Sequence, residues 1–325
     1  MATAALSNPE VNLVPLVDAD LISLENLFDE ECAEWLDLLR WDYKGSSMLI
    51  RDVVRQRQLS GFVATIGDAT VGFAYYLVEG WRCSIGDIYV GRNWRGAGID
   101  GALATAVFDE LNRRGRLRRI ESQYVGIDTG AADTLFQSHG FERLERNYML
   151  LELEQDSQNK RNGPASDSSG PSIRSWRDTD FPQAARVIHR SYRGTHDSRI
   201  NSQYRTEDGC GELLTILTDH IWCGDFLPQV SRVALRASGT IAGVLIASRV
   251  SKGVGHIGQI SVHPAHQDRG IGRRLIESAL SEYQRLGFKS ITLAVTSANA
   301  QALHLYESCG FRTIHTFPVF YREKK

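Results

Sequence analysis

Between His263 and Gly272 the chain reads HPAHQDRGIG, after the short run GQISV (258–262) and before an amphipathic stretch that runs to about Leu286. Gly270 and Gly272 let a backbone approach a ligand closely, and the first-turn amides of the helix that follows are unpaired donors pointing outward. The partial positive charge of a helix N-terminus suits phosphate. Arg269, Arg273 and Arg274 add formal charge. On physics alone this is a place for a phosphate- or pyrophosphate-bearing ligand, although an ordinary strand–helix turn with surface arginines has the same pattern. Downstream lies Tyr306, whose phenol (pKa about 10) can donate a proton or a hydrogen bond. Alternatively it is a core aromatic near a helix end.

A residue that takes up a proton in a reaction must titrate near neutral pH. Gln259, on the strand before the loop, cannot serve. His256 and His263 flank it, and an imidazole with pKa near 6.5 suits the task, so His256 is the first candidate. A base acting through water, with His256 at a strand end, is the alternative. His263 and His266 offer no third metal ligand and Pro264 breaks helical register, so no metal is expected. The segment SYRGTHDSRINSQY (191–204) carries His196, Asp197, Arg199 and Tyr204. It reads either as the wall of a polar acceptor's site or as a solvated connection. In EWLDLLRWDY, Trp35, Trp41 and Tyr43 form either helix core or a docking surface.

These residues need positioning elements. The second half reads as a strand at 172–176, a helix at 180–193, a polar aromatic segment to about 208, and a helix at 210–221. Strands follow at 231–237 and 241–250, turning at Ser238-Gly239. Then come the strand ending at Val262, a helix from Ile271 to Leu286, a strand at 290–296, a helix at 299–309 and a final strand pair. The fold class is α/β, a mixed, partly antiparallel sheet flanked by helices.

The first half repeats this pattern. GDIYVGRNWRGAGIDGALATAVFDEL (86–111) parallels GQISVHPAHQDRGIGRRLIESALSEY (258–283), and ADTLFQSHGF parallels QALHLYESCGF. Gly98 to Gly140 spans 42 residues and Gly270 to Gly310 spans 40. Nearly equal spacing of two matches points to a duplication. Residues 155–171, rich in Ser, Asn, Gly and Pro, read as a flexible linker between domains at 1–154 and 172–325.

The motif Gln267-Asp268-Arg269-Gly270-Ile271-Gly272, preceded by Val262-His-Pro264, resembles the acyl-CoA loop of the GNAT superfamily of N-acetyltransferases. Asn299 and Leu305-Tyr306-Glu-Ser-Cys-Gly310-Phe311 resemble that family's later motifs. The resemblance covers most of 172–325. It implies two tandem GNAT-like domains and an acetyl-CoA-dependent transfer of an acetyl group directly to an amine of a small molecule or peptide. Gln267 through Gly272, with Arg273, would hold the pyrophosphate. Ile260, Ser261 and Val262 would bind the pantetheine and acetyl carbonyl, and Asn299 the pantetheine arm. Tyr306 would be the acid. A non-catalytic acyl-CoA sensor or scaffold is the competing reading.

In the first half the same motif is altered. Asp100 stands where Gly272 does, Arg92 where Pro264 does, Thr129 where Asn299 does, and Phe136 where Tyr306 does. A carboxylate in the first turn repels a pyrophosphate, so this half is expected not to catalyse and to bind CoA weakly at best. Gly96-Ala-Gly98-Ile-Asp-Gly101, with Glu121 downstream, is nominally a dinucleotide fingerprint. The polar insert before its glycines argues against that reading.

The chain has 325 residues, 42% hydrophobic and 23% charged, which excludes disordered and collagen-like classes. Its net charge of −2 argues against a nucleic-acid partner. Residues 1–155 hold 15 basic and 24 acidic residues, and 172–325 hold 20 and 13. An anionic ligand is therefore favoured by the second half. Five cysteines without a CxxC pair suggest reduced thiols and a cytoplasmic setting. No apolar run is long enough for a membrane span, and the oligomeric state is not readable.

Overall fold

The computed structural model describes residues 10–123, 130–154, 171–219 and 223–324. The chain forms two compact units. The first contains residues 1–34, 46–144 and 317–325, and the second 35–45 and 145–316.

In chain order the strands are β1 (Asn12–Pro15), β2 (Ser60–Ile66), β3 (Ala69–Glu79), β4 (Arg82–Val90), β5 (Arg119–Gln123), β6 (Glu142–Glu152), β7 (Ser172–Ser175), β8 (Asp225–Phe226), β9 (Arg232–Leu235), β10 (Ile241–Ser251), β11 (Val254–Val262), β12 (Ser290–Thr296) and β13 (Arg312–Glu323). The helices are α1 (Leu21–Leu39), α2 (Lys44–Arg55), α3 (Ile99–Arg113), α4 (Gly130–Ser138), α5 (Phe181–Tyr192), α6 (His196–Ile200), α7 (Glu207–Asp219), α8 (Ile271–Arg285) and α9 (Ala300–Ser308).

The first unit orders its strands β1-β2-β3-β4-β5, with the end of β13 beside β5. The second orders them β7-β9-β10-β11-β12-β6, with β8 on β10. In each unit one pair, β4–β5 or β11–β12, is parallel and the rest are antiparallel. The α/β class with a mixed sheet in each unit is therefore observed.

Two strands cross the division at the linker. Val319–Glu323 of β13 pair with Gln123–Arg119 of β5, while Arg146–Glu152 of β6 pair with Thr296–Ser290 of β12. The exchange is anchored by burial. Phe320 is fully buried in the core of the first unit and Met149 in that of the second. The expected final strand pair is instead one twelve-residue strand. Its continuous buried run from Phe317 to Tyr321 carries the strand past the point where a hairpin would turn.

Local causes are plain in the repeated parts. Along α8, Ile271, Leu275, Ile276, Ala279, Leu280 and Tyr283 form one buried stripe, each large side chain contributing about 1.5–3 kcal/mol of burial. Both α4 and α9 end in the same motif. Gly140 (φ 76°) and Gly310 (φ 95°) take the left-handed conformation, and Phe141 and Phe311 donate their amides to Phe136 and Tyr306 carbonyls at 3.1 Å. That six-to-one bond caps orphan carbonyls and forces the Gly-Phe signature.

Candidate functional site

In the second unit β11 pairs with β12 only from Val254 to Ile257, against Ser290 to Leu293. A bulge at Gly258 breaks the register with β10 between Ile246 and Ala247. Beyond it β11 and β12 part, and a cleft of about 380 Å³ opens at the divergence. One extra residue thus re-aims the strand end and frees its polar groups.

One side of the cleft is the loop. Its entry is a 3-10 turn at Pro264–His266, and Gln267 Nε2 donates to the Val262 carbonyl at 3.0 Å. Asp268 (φ 59°) and Gly270 (φ 71°) both take left-handed backbone angles, an arrangement costly for Asp268 and found where surroundings over-determine it. Asp268 Oδ1 accepts from Gln301 Nε2 at 2.7 Å. Gly270 is the N-cap of α8. A side chain at Gly272 would bring its Cβ within 3.2 Å of Leu305 and 3.9 Å of Val262. These first-turn amides, beside the charge of Arg273, fit a diphosphate by geometry and charge. Arg273 is braced by Ser308 Oγ at 2.6 Å.

The expected site residues separate into two sets. Ile260, Ser261, Val262, Gln267, Asp268, Gly270, Ile271, Gly272, Arg273 and Asn299 all line the cleft, as do Tyr306, Asp197 and Tyr204. Arg269, His196 and Arg199 are exposed and outside its lining. Asn299 Oδ1 caps α9 through the Ala302 amide at 3.1 Å.

His256 also lies outside the lining. It is buried, with its ring 4.9 Å from that of Trp41 and 6.1 Å from that of Tyr148. Its Nδ1 lies 2.9 Å from Thr292 Oγ1. Burial, and then the charge of Arg146, push its pKa down to about 3. The ring is a neutral core group, and its strand-end position in the sequence hid the aromatic lid that segment 35–45 provides. Trp35 stacks on Tyr43 at 4.3 Å in that segment, so the aromatic stretch serves as packing here.

Three phenols, Tyr192, Tyr204 and Tyr306, line the cleft. Tyr192 and Tyr204 stack with centroids 4.0 Å apart. Tyr204 Oη donates to Gln259 Oε1 at 2.9 Å, and Gln259 Nε2 donates to Ser261 Oγ at 2.9 Å. Burial pushes the pKa of Tyr192, Tyr204 and Tyr306 upward, so all three remain protonated. The charge of Asp197 pushes Tyr306 further up and that of Arg146 opposes it. Tyr192 and Arg146, both cleft-lining, escaped sequence reading. Tyr192 ends an amphipathic helix like any core aromatic, and Arg146 lies on β6, before the linker. Only the tyrosine spacing across 192–204 offered a signal.

The first unit carries the same loop in backbone terms. Gly96 (φ 78°) and Gly98 (φ 77°) match the angles at Asp268 and Gly270, and Arg95 Nε donates to the Val90 carbonyl at 3.1 Å as Gln267 does to Val262. Its chemistry differs. The buried carboxylate of Glu34 accepts from Arg92 Nε and from Arg95 Nη2 at 2.7 Å, and Glu30 accepts the Arg92 amide at 2.6 Å. Phe136 is fully buried and stacked on Phe320 at 4.1 Å. Asp100 occupies the first turn of α3. Thr129 lies outside the described residues, as does the linker at 155–170.

Comparisons with known proteins agree with this architecture. The model of the acetyltransferase (GNAT) family matches residues 21–141 and 199–311. The mycothiol acetyltransferase of Propionibacterium freudenreichii subsp. shermanii is 30% identical over 94 residues, 28% of this chain and 30% of that protein. The [ribosomal protein bS18]-alanine N-acetyltransferase of Escherichia coli K12 is 42% identical over 52 residues, 16% of this chain and 35% of that protein. The matched stretches thus span about a third of these relatives' own length. A tandem GNAT protein from the clavulanic acid biosynthesis pathway superposes with a TM-score of 0.59 at 17% identity, over 97% of this chain and 98% of its own. At that identity the likeness speaks for the fold. Among the described residues no helix is long and apolar enough to cross a membrane.

Proposed function

The chain belongs to the GNAT acetyltransferase family, and from that premise we propose that it transfers acetyl from acetyl-CoA to an amine of a small molecule or peptide, with the second unit as the catalytic one. Along the sequence, 1–154 is then the degenerate GNAT-like domain, 155–171 a linker and 172–325 the catalytic domain. The observation that carries this reading is the coincidence, in one cleft, of a glycine loop opening a helix and a buried phenol.

Acetyl-CoA supplies the activated thioester. The chain's residues then divide the work. The loop amides from Gln267 to Gly272, with Arg273, bind the diphosphate. The parted edge of β11 at Ile260–Val262 presents backbone groups that orient the pantetheine and polarise the thioester carbonyl. Tyr306, held protonated by burial, gives its proton to the leaving sulfur. His256 takes no part, because a neutral core imidazole outside the cleft cannot reach the amine. The proton acceptor is then water at the cleft mouth. Five free cysteines accord with a reducing, cytoplasmic setting.

The test is thiol release from acetyl-CoA against a panel of amines, wild type beside Tyr306→Phe. Turnover with at least one amine, lost in the variant, supports the reading. Acetyl-CoA binding without turnover of any amine supports a non-catalytic binder.

A further inference from the structure

Seven large apolar side chains are exposed among the described residues, and three of them, Leu77, Val78 and Trp81, fall within five positions. They form the tip of the β3–β4 hairpin, where Glu79 pairs with Arg82 across the two-residue turn Gly80-Trp81. Gly80 takes the left-handed angle (φ 59°) that such a turn favours. Trp81 is 51% exposed. Successive strand residues face opposite ways, so Leu77 and Val78 make the tip apolar on both faces. The duplicated hairpin of the second unit shows that the fold does not demand this. Its turn, closed by the pair Ser251 and Val254, holds Lys252 and Gly253, and none of the exposed large apolar residues lies there.

The connection between α3 and β5 supplies charge beside the tip. The Trp81 carbonyl accepts the amides of Arg118 at 2.8 Å and Arg119 at 3.2 Å, which fixes Arg118 next to the turn. Arg116 lies two residues earlier in the same connection. Both Arg116 and Arg118 are exposed and, among the described residues, make no ion pair and no side-chain hydrogen bond. The neighbouring carboxylates are already matched. Glu79 pairs with Arg82, Glu110 with Arg113 and Arg114, and Glu121 and Glu323 with Arg119. Two uncommitted guanidinium groups therefore flank an apolar knob, in a half of the sequence (1–155) that holds 24 acidic and 15 basic residues.

We infer that the β3–β4 tip is a docking surface for another protein, and that it takes a short segment in which carboxylates flank a large apolar side chain. An exposed apolar cluster rimmed by charge marks such a place, and Trp and Arg are the residue types that carry most binding energy at interfaces. Charge selects the occupant. The planar guanidinium groups of Arg116 and Arg118 match carboxylates in shape and sign. A nucleic acid is disfavoured, because a polyanion meets the acidic surplus of this half and one indole offers a single stacking surface. A second copy of the chain on a two-fold axis would set these arginines against their own equivalents. The tip lies at the start of β4, whose nine residues span about 30 Å before the loop at Arg92. Docking at the tip therefore leaves that loop open, and the inference stands whether or not the second unit transfers acetyl.

In the test, random peptides displayed on phage are selected on the immobilised full chain, and the enriched sequences are synthesised with a fluorescein label. Anisotropy then gives their Kd on wild type, on Trp81→Ala and on the double variant Arg116→Glu/Arg118→Glu. Enriched peptides are expected to carry several carboxylates beside Leu, Phe or Trp. Each variant is expected to raise the Kd at least about 10-fold, the loss of one interface anchor. Their thermal unfolding, unchanged from wild type, reports that both have folded. On wild type the Kd should rise with salt between about 0.05 and 0.5 M, as screened ion pairs require. Failure of any sequence to enrich, enriched peptides without carboxylates, or an affinity unchanged in either variant overturns the inference. A labelled oligothymidylate or a phosphatidylserine vesicle that binds in a Trp81-dependent way, where acidic peptides do not, assigns the surface to another class of partner and also overturns it.

Discussion

The two loops at Arg92–Asp100 and Pro264–Gly272 have nearly one backbone and opposite chemistry. Each follows a bulged strand, opens with a 3-10 turn and places two left-handed residues before a helix. Each is braced by a side chain that donates to the last strand carbonyl. In the first unit the cations of that loop are spent on Glu34, and Asp100 adds a negative charge to the helix start. In the second the loop keeps its amides and Arg273 on an open cleft. The fold therefore retains the loop for reasons of chain geometry, while ligand competence depends on a few side chains that the geometry does not dictate.

Exchanging those side chains breaks the contrast. The largest effect is expected from Tyr306→Phe, which installs the counterpart of Phe136. The kcat should fall about 10²- to 10⁴-fold, with acetyl-CoA affinity retained in calorimetry. Because burial raises the Tyr306 pKa, wild-type kcat should also show no loss of a required acid as pH rises toward the ordinary phenol range near 10. Gly272→Asp, copying Asp100, should weaken acetyl-CoA binding by about 100-fold, since it adds both a charge and a side chain against Leu305. The reciprocal Asp100→Gly should leave the stoichiometry at one acetyl-CoA per chain, because Glu34 still holds Arg92 and Arg95. A stoichiometry of two would erase the distinction between the units.

A smaller effect is expected in stability. Glu34→Ala strands Arg92 and Arg95, and unfolding measured by denaturant should show a loss of about 2–3 kcal/mol with acetyl-CoA affinity unchanged. Smallest is His256, which Ser84 replaces in the first unit. Its folded pKa of about 3 lies below the unfolded value near 6.5. The unfolded state thus binds the proton first, and stability declines as pH falls from about 6.5 toward 3, at no more than about 1.4 kcal/mol per pH unit. His256→Asn should flatten that decline and alter kcat/KM only a few-fold. A hundredfold fall in kcat/KM would restore the histidine as a base.

Much of this was legible along the chain. Strand β12 falls at 290–296 as read, and α8 at 271–285 is set by its apolar stripe. The loop was legible because glycine at fixed spacing has a steric cause. His256 was not, because its burial comes from Trp41, over two hundred residues earlier, and from Tyr148 on β6. Arg146 was hidden for the same reason. The sequence spacing that exposed the duplication also invited a clean cut at the linker, whereas β6 and the end of β13 pair across that cut. Which edge a strand joins depends on long-range pairing, and periodicity within a strand carries no record of it.

The exchange of β6 and β13 has a consequence for the order in which the chain is made. On the ribosome the first unit has β1 through β5 available early, but its β5 edge waits for Phe317 and the residues after it. At synthesis rates of about 5–20 residues per second that wait is on the order of ten seconds or more, during which β5 presents an unpaired edge open to wrong partners. The second unit, by contrast, receives β6 before any other strand of its own sheet. Nascent-chain arrest before residue 317 should therefore leave the first unit protease-sensitive. Vectorial synthesis thus makes the later-made unit the earlier one to be complete.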